Sequence, residues 1–294
     1  MQMSNAEIER ERRNGRIAGI VGIIGIVLFV GVGAVGLASE FQGADGFAES
    51  LVAFEPEKNE VLILLLAQGL GILLFTPSLV ALFQAVRSRM DNFRPGLIGL
   101  CIAGPLFFAG SLVASYFAID SAAGLFDPAV DLDPGVELGS SEADDVAEDI
   151  YLDQGAANIA SGLRFAGQLG LTFIIVYTAL YAMRAGLLTR FWGTLAMALG
   201  VGVLLIGPPA LLGFFLAISL MVAGFWPGGL PPAWAAGKAM PWPKPGEAPV
   251  EMRDEPEEVA SPEDFEGTAT EVDPAAGERP GRRDNKRKRK RKAR

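Results

Sequence analysis

The chain contains no histidine and a single cysteine, Cys101, which sits inside an apolar run. Without histidine there is no imidazole for general acid–base catalysis, zinc ligation or haem ligation. One thiol excludes an intramolecular disulfide and any CxxC metal or redox site. Lysine and aspartate are missing from the long apolar stretches, and the acids nearest to them, Glu60 and Asp120, stand at their edges. No GxSxG, HExxH or Walker A pattern occurs. These absences argue against a membrane protease, a histidine-dependent transferase and an ATP-driven pump. They also weaken proton-coupled transport, which runs through buried carboxylates. A non-enzymatic protein without cofactor or metal is expected.

What is present is apolar. Half of the residues are hydrophobic, and the net charge of −9 describes no region because the charges are segregated into blocks. The expected fold class is all-α, a polytopic transmembrane helical bundle of six spans. They are expected near residues 17–38, 60–86, 96–119, 157–183, 191–207 and 210–226, because a hydrocarbon core of about 30 Å takes roughly 20 apolar residues. Acidic loops at 39–59 and 120–156 and a Trp/Pro interfacial collar at 226–243 complete a membrane domain, 1–243. Residues 244–294 are Pro/Glu/Ala-rich, first acidic and then basic, and too polar to fold alone; a disordered cytoplasmic tail is expected.

The first run follows Arg10, Arg12, Arg13 and Arg16. A cleaved signal peptide is the rival reading, since Gly36-Leu37-Ala38 has the small-x-small pattern, but the run exceeds an h-region of roughly 7–15 residues. On a helix, Gly15, Gly19, Gly22, Gly25, Gly33 and Gly36 share one face and Gly31 does not. Such a face lets backbones approach closely in lipid, and packing within one subunit is preferred over self-association of two copies. Phe47, Leu51 and Phe54 read as a short helix lying on the membrane surface. The Thr76-Pro77 step should kink the second span and Gly104-Pro105 the third. Pro208-Pro209 interrupts a long uncharged stretch, which reads as two short spans joined by a tight turn; Gly193, Gly200 and Gly207 lie seven apart ahead of it.

Between Asp120 and Asp153 there are eleven Asp or Glu residues and no Lys or Arg. Ser141-x-x-Asp144 opens a short helix with Val146 and Ile150 on its apolar side. Asp131, Asp133 and Glu142 fit positions 1, 3 and 12 of a calcium loop, yet Gly135 and Val136 break the pattern, so a solvated acidic loop is the better reading. The basic turns at 10–16, 87–94 and 184–190 alternate with acidic or uncharged connections. The positive-inside rule then puts both termini in the cytoplasm of a cell with the protein in its inner membrane.

Leu163 to Met183 carries the one formal charge that cannot be moved into a loop, Arg164, with Gln168 and Thr172 on the same face. Gln68 in the second span and Gln84 near its inner end are the remaining polar residues inside, and Gln68 is the further site candidate. A guanidinium one to two turns below the outer surface snorkels or pairs with a loop acid such as Asp153. An anionic solute or lipid headgroup bound by Arg164, Gln168, Thr172 and Gln68 is the alternative, and a cavity between spans two and four would favour it. The ten Lys or Arg residues from Arg282 to Arg294 suit anionic lipid headgroups or RNA phosphates. No aromatic is interleaved among them, so base stacking and specific DNA binding are not expected.

Ala182-Met-Arg-Ala-Gly-Leu-Leu-Thr-Arg-Phe-Trp-Gly193, Phe225-Trp-Pro-Gly-Gly-Leu-Pro-Pro-Ala-Trp234 and Ala239-Met-Pro-Trp-Pro243 resemble a group of uncharacterised bacterial multi-pass integral membrane proteins. The resemblance covers the membrane domain and collar. It implies an integral membrane location and carries no activity or residue roles. The function expected from the residues is that of a scaffold or interaction partner; a small permease or lipid-binding protein is the alternative.

Overall fold

The computed structural model describes residues 3–36, 44–227 and 229–242, and among these every regular element is helical. Residues 243–294, the cleavage candidate at Leu37-Ala38 and most of the loop after it lie outside the described residues. The helices are α1 (Asn5–Gly36), α2 (Phe47–Leu73), α3 (Thr76–Arg87), α4 (Ile98–Ala123), α5 (Pro128–Asp131), α6 (Ser141–Leu152), α7 (Gly155–Arg184), α8 (Arg190–Leu205), α9 (Pro208–Ala223) and α10 (Pro232–Ala236). Among the described residues four stretches are long and apolar enough to cross a membrane: α1, α2 with α3, α4 with its preceding turn, and α7. α8 and α9 have 16 residues each and are shorter.

The helices pack in a closed order, α1, α2, α4, α7, α8, α9 and back to α1, while α3 touches α1, α4, α7 and α9. Accordingly Phe75, Leu79, Leu82, Phe83, Ala85 and Val86 are fully buried. α3 exists as a separate segment because Pro77 has no N–H to give to the carbonyl of Leu73. The chain breaks at Leu74–Phe75, where the Phe75 N–H turns to the Ile72 carbonyl at 3.1 Å. Pro105, by contrast, sits inside an unbroken α4.

Lipid offers helices no hydrophobic reason to associate, so close contact must come from small side chains. The glycine face of α1 does this inside the chain. A Cβ on Gly19 would lie 2.5 Å from the Ala223 nitrogen and the Ser219 oxygen, and one on Gly25 would lie 2.7 Å from the Gly71 carbonyl. A Cβ on Gly22 would overlap the hydroxyls of Ser78 and Ser219. Those two hydroxyls bond each other at 3.0 Å, and Ser78 donates onward to the Ala18 carbonyl. Gly104 and Gly167 bring α4 and α7 together in the same way, and Gly193 and Gly200 seat α8 on Met183, Ile175 and Val176 of α7.

The end of the bundle that carries the acidic stretch departs from the sequence reading. Phe47, Leu51 and Phe54 belong to α2 itself, which runs unbroken through Pro56 into the apolar stretch. They do not lie flat because protein covers them: Leu51 packs with Ala122, Phe126, Ala143 and Ala147, and Phe54 packs with Tyr116. α6 is capped by Ser140, one residue earlier than expected, whose Oγ accepts from the Ala143 N–H at 3.2 Å. Asp144 therefore has no capping-box duty. Its carboxylate accepts the Ala48 N–H at 2.9 Å and supplies the side-chain cap that Gly46 cannot give α2.

Gly22→Val should lower the melting midpoint of the detergent-solubilised protein. Overpacking costs about 1–3 kcal/mol, and the buried serine pair would also be disturbed. Gly31 has nothing within 4 Å of its Cβ position, so Gly31→Ala should be neutral or raise the midpoint. Equal losses from both substitutions would show that the glycine face does not set the packing.

Candidate functional site

Among the described residues a densely bonded charge is Arg89, just past the C-cap of α3, with a side chain 0% exposed. Its Nη1 donates to Glu11 of α1, 2.9 Å from Oε1 and 3.1 Å from Oε2, and to the Ala85 carbonyl at 2.8 Å. Nε donates to the Ala233 carbonyl at 3.1 Å and Nη2 to that of Trp234 at 3.4 Å, both on α10. The guanidinium carbon also lies 5.7 Å from the centroid of the Trp234 ring, within cation–π range. One planar fork thus joins three parts of the chain. Lysine, a point donor, could not span them.

The Trp/Pro collar folds back onto this end of the bundle. The Trp234 indole donates to the Leu187 carbonyl at 3.0 Å, the Trp242 indole to that of Leu188 at 2.8 Å, and the Met240 N–H to that of Ala185 at 3.0 Å. Gly186, at φ +77°, is needed here because a Cβ would collide with the Met240 carbonyl. Trp226 meets Trp192 edge-on at 4.7 Å. The turn between α7 and α8 is therefore held by carbonyl acceptors that the collar satisfies.

Two clefts flank the polar start of α1. One, of about 300 Å³, is lined by Glu7, Arg10, Glu11, Asn14, Gln84 and Trp234 among others. The other, of about 510 Å³, is lined by Arg12, Arg16, Val222, Leu230, Pro231 and Trp234 among others. Charges of both signs over an apolar floor suit binding, and in the first cleft the Ser88 hydroxyl donates to the Glu11 carboxylate at 3.4 Å. A third cavity, of about 60 Å³ between α8 and α9, is lined by apolar side chains such as Leu195, Phe214 and Met221. Among the described residues no group of three or more His, Cys, Asp or Glu side chains could hold a metal ion.

The residues expected from sequence are placed differently. Arg164 is exposed and makes no hydrogen bond or ion pair with a described residue; Asp153 is not its partner. Gln168 is half-buried, and the Thr172 hydroxyl is buried without a partner among the described residues. Gln68 faces α1, its Nε2 3.7 Å from where a Cβ on Gly33 would be. α4 lies between α2 and α7, so the structure brings Arg164, Gln168 and Thr172 onto one helix without adding Gln68. Arg89 and Glu11 were missed because nothing local distinguishes Arg89 from Arg87 or Arg94. The available signal was indirect: residues 191–237 hold no charge, so the collar had to take its donors from elsewhere.

No protein-family model matches the chain, and neither a curated protein nor a solved structure matches it.

Arg89→Leu should destabilise the protein by about 3–5 kcal/mol, since Glu11 would be left largely buried and unpaired. Arg89→Lys should recover only part of this. The checks are the melting midpoint and protease sensitivity of residues 1–16; a loss under 1 kcal/mol would show that the fork is dispensable.

Proposed function

We propose that this is a multi-pass inner-membrane protein that acts as a non-enzymatic scaffold or interaction partner, with six membrane-embedded helical segments and both termini cytoplasmic. The observation that carries this reading is the use made of its buried charge. Arg89 is consumed by a clamp between segments of the same chain, and glycine contacts close the helix interfaces at backbone distance. A permease needs polar groups free along a passage, and the fully buried guanidinium is not free.

The topology is supported by grouping. The start of α1, the turn after α3 and the turn after α7 meet at the collar, and these carry the basic clusters; the acidic stretch 120–153 packs at the other end of α2 and α4. The contacts of α1 with α2, α3 and α9 support its retention as a membrane helix. The resemblance to uncharacterised bacterial multi-pass proteins supports the same location. Contact of the basic run 282–294 with anionic lipid or RNA is part of the proposal.

The exposed Arg164 favours one second reading, an anionic lipid or solute held on that face of α7. Melting of the purified protein with and without anionic lipids and solutes separates the two. Under the scaffold reading no anion stabilises the protein through Arg164, and Arg164→Leu shifts stability by no more than about 1 kcal/mol, as for an exposed charge. Anion-dependent stabilisation that Arg164→Leu abolishes would replace the scaffold with a binding protein. Under the scaffold reading, proximity labelling in the native membrane should recover protein partners; under the second reading it should not.

A further inference from the structure

The helical hairpin α8–α9 is too short and too apolar for its position. Sixteen residues extend about 24 Å, against a hydrocarbon core of about 30 Å. Packing registers place its tip independently. Gly193 rests on Met183 and Gly200 on Ile175 and Val176, so the antiparallel register brings Ile206 level with Leu169 and Gly170. α7 continues roughly 20 Å beyond that level. On the other side Gly15 meets Val222 and Gly22 meets Ser219, which brings Pro208 level with Gly33. α1 itself runs on to Gly36, roughly 4–5 Å beyond that level. Both neighbours outreach the hairpin in the same direction, and Arg164 stands roughly 9 Å above its tip.

The tip has the chemistry of hydrocarbon and not of water. Leu205 is 81% exposed and Ile206 67%, and no polar side chain occurs from Leu204 to Ala217. A helix start leaves backbone N–H groups without partners, which is costly in lipid. Here Pro208 and Pro209 have no N–H to leave. The Ile206 N–H is bonded to the Gly202 carbonyl at 2.7 Å and the Leu211 N–H to that of Gly207 at 3.4 Å. Gly207, at φ +70°, makes the reversal without a side chain. Above the tip, the line of α7 that α8 covers at Met183 and Val176 emerges uncovered, with Leu169 43% and Phe165 60% exposed.

We infer that α8–α9 is a re-entrant hairpin. It enters from the inner face, turns at Gly207 inside the hydrocarbon of the outer leaflet and returns, and outer-leaflet phospholipid chains fill the recess above it against Leu169 and Phe165. This rests on the orientation proposed above and leaves the other crossings and both termini where they were.

The test uses the full chain with Cys101→Ala, reconstituted in phosphatidylcholine–phosphatidylglycerol vesicles, carrying a nitroxide label on one introduced cysteine. Ile206→Cys and Phe165→Cys report on the tip and the recess, and Asp133→Cys is the aqueous reference. The expected result is relaxation of the tip and recess labels by oxygen and not by a water-soluble nickel chelate, with the reverse at Asp133→Cys. Nickel relaxation of the Ile206→Cys label equal to the reference would overturn the re-entrant hairpin; the same at Phe165→Cys would show a water-filled recess and overturn the lipid. Leu205→Cys, at the most exposed position, replaces Ile206→Cys if that variant does not fold. Orientation is read separately, with a membrane-impermeant thiol reagent on intact cells. Modification of Asp91→Cys in place of Asp133→Cys would reverse the orientation and leave the depth result intact.

Discussion

A guanidinium removed from water is the constraint on which the rest of this structure depends. An uncompensated buried charge costs several kcal/mol, so Arg89 is tolerable only where every direction of its planar fork meets an acceptor. Glu11, Ala85, Ala233 and Trp234 provide these from three separate parts of the chain. Satisfying one side chain thereby fixes where the first helix begins, where the turn after α3 lies and how the collar folds back. The collar in turn supplies the indole donors for the carbonyls of Leu187 and Leu188. Order at this end is therefore cooperative: removing one donor frees acceptors on elements far apart in sequence.

Away from that end, cohesion is steric. Gly19, Gly22, Gly25, Gly104, Gly167, Gly193 and Gly200 are positions where a methyl group would touch a neighbouring helix. Close approach gains dispersion contacts in a medium that gives no hydrophobic help. The same closeness leaves little room for a solute path, which supports the proposed scaffolding role. The end that carries the acidic stretch uses a third device, a carboxylate on α6 that caps α2 from a distance.

Much of the fold was legible in the sequence because its signals are local. Run lengths located the long helices, Pro77 marked the break before α3, and Gly207-Pro208-Pro209 marked the reversal between two short helices. The glycine spacing on α1 correctly identified the packing face. Reading failed where a contact spans the chain. Nothing near Phe47 says that α6 will cover Leu51 and make that segment a continuation of α2. Nothing near Arg89 announces partners 78 and 144 residues away. Arg164 drew attention as a charge in an apolar run, yet it stands on an exposed face of α7, from which a guanidinium can snorkel towards water. The charge that organises the protein lies in a turn, where charges are ordinary.

The most direct measurement is a double-mutant cycle on the clamp, with Arg89→Leu, Glu11→Leu and the double variant compared with the parent by unfolding in one detergent. A bonded, largely buried pair predicts that the double variant is more stable than the sum of the single losses implies, with a coupling energy of about 1–3 kcal/mol. Strictly additive losses would contradict the claim that Arg89 and Glu11 clamp α1 to the turn after α3.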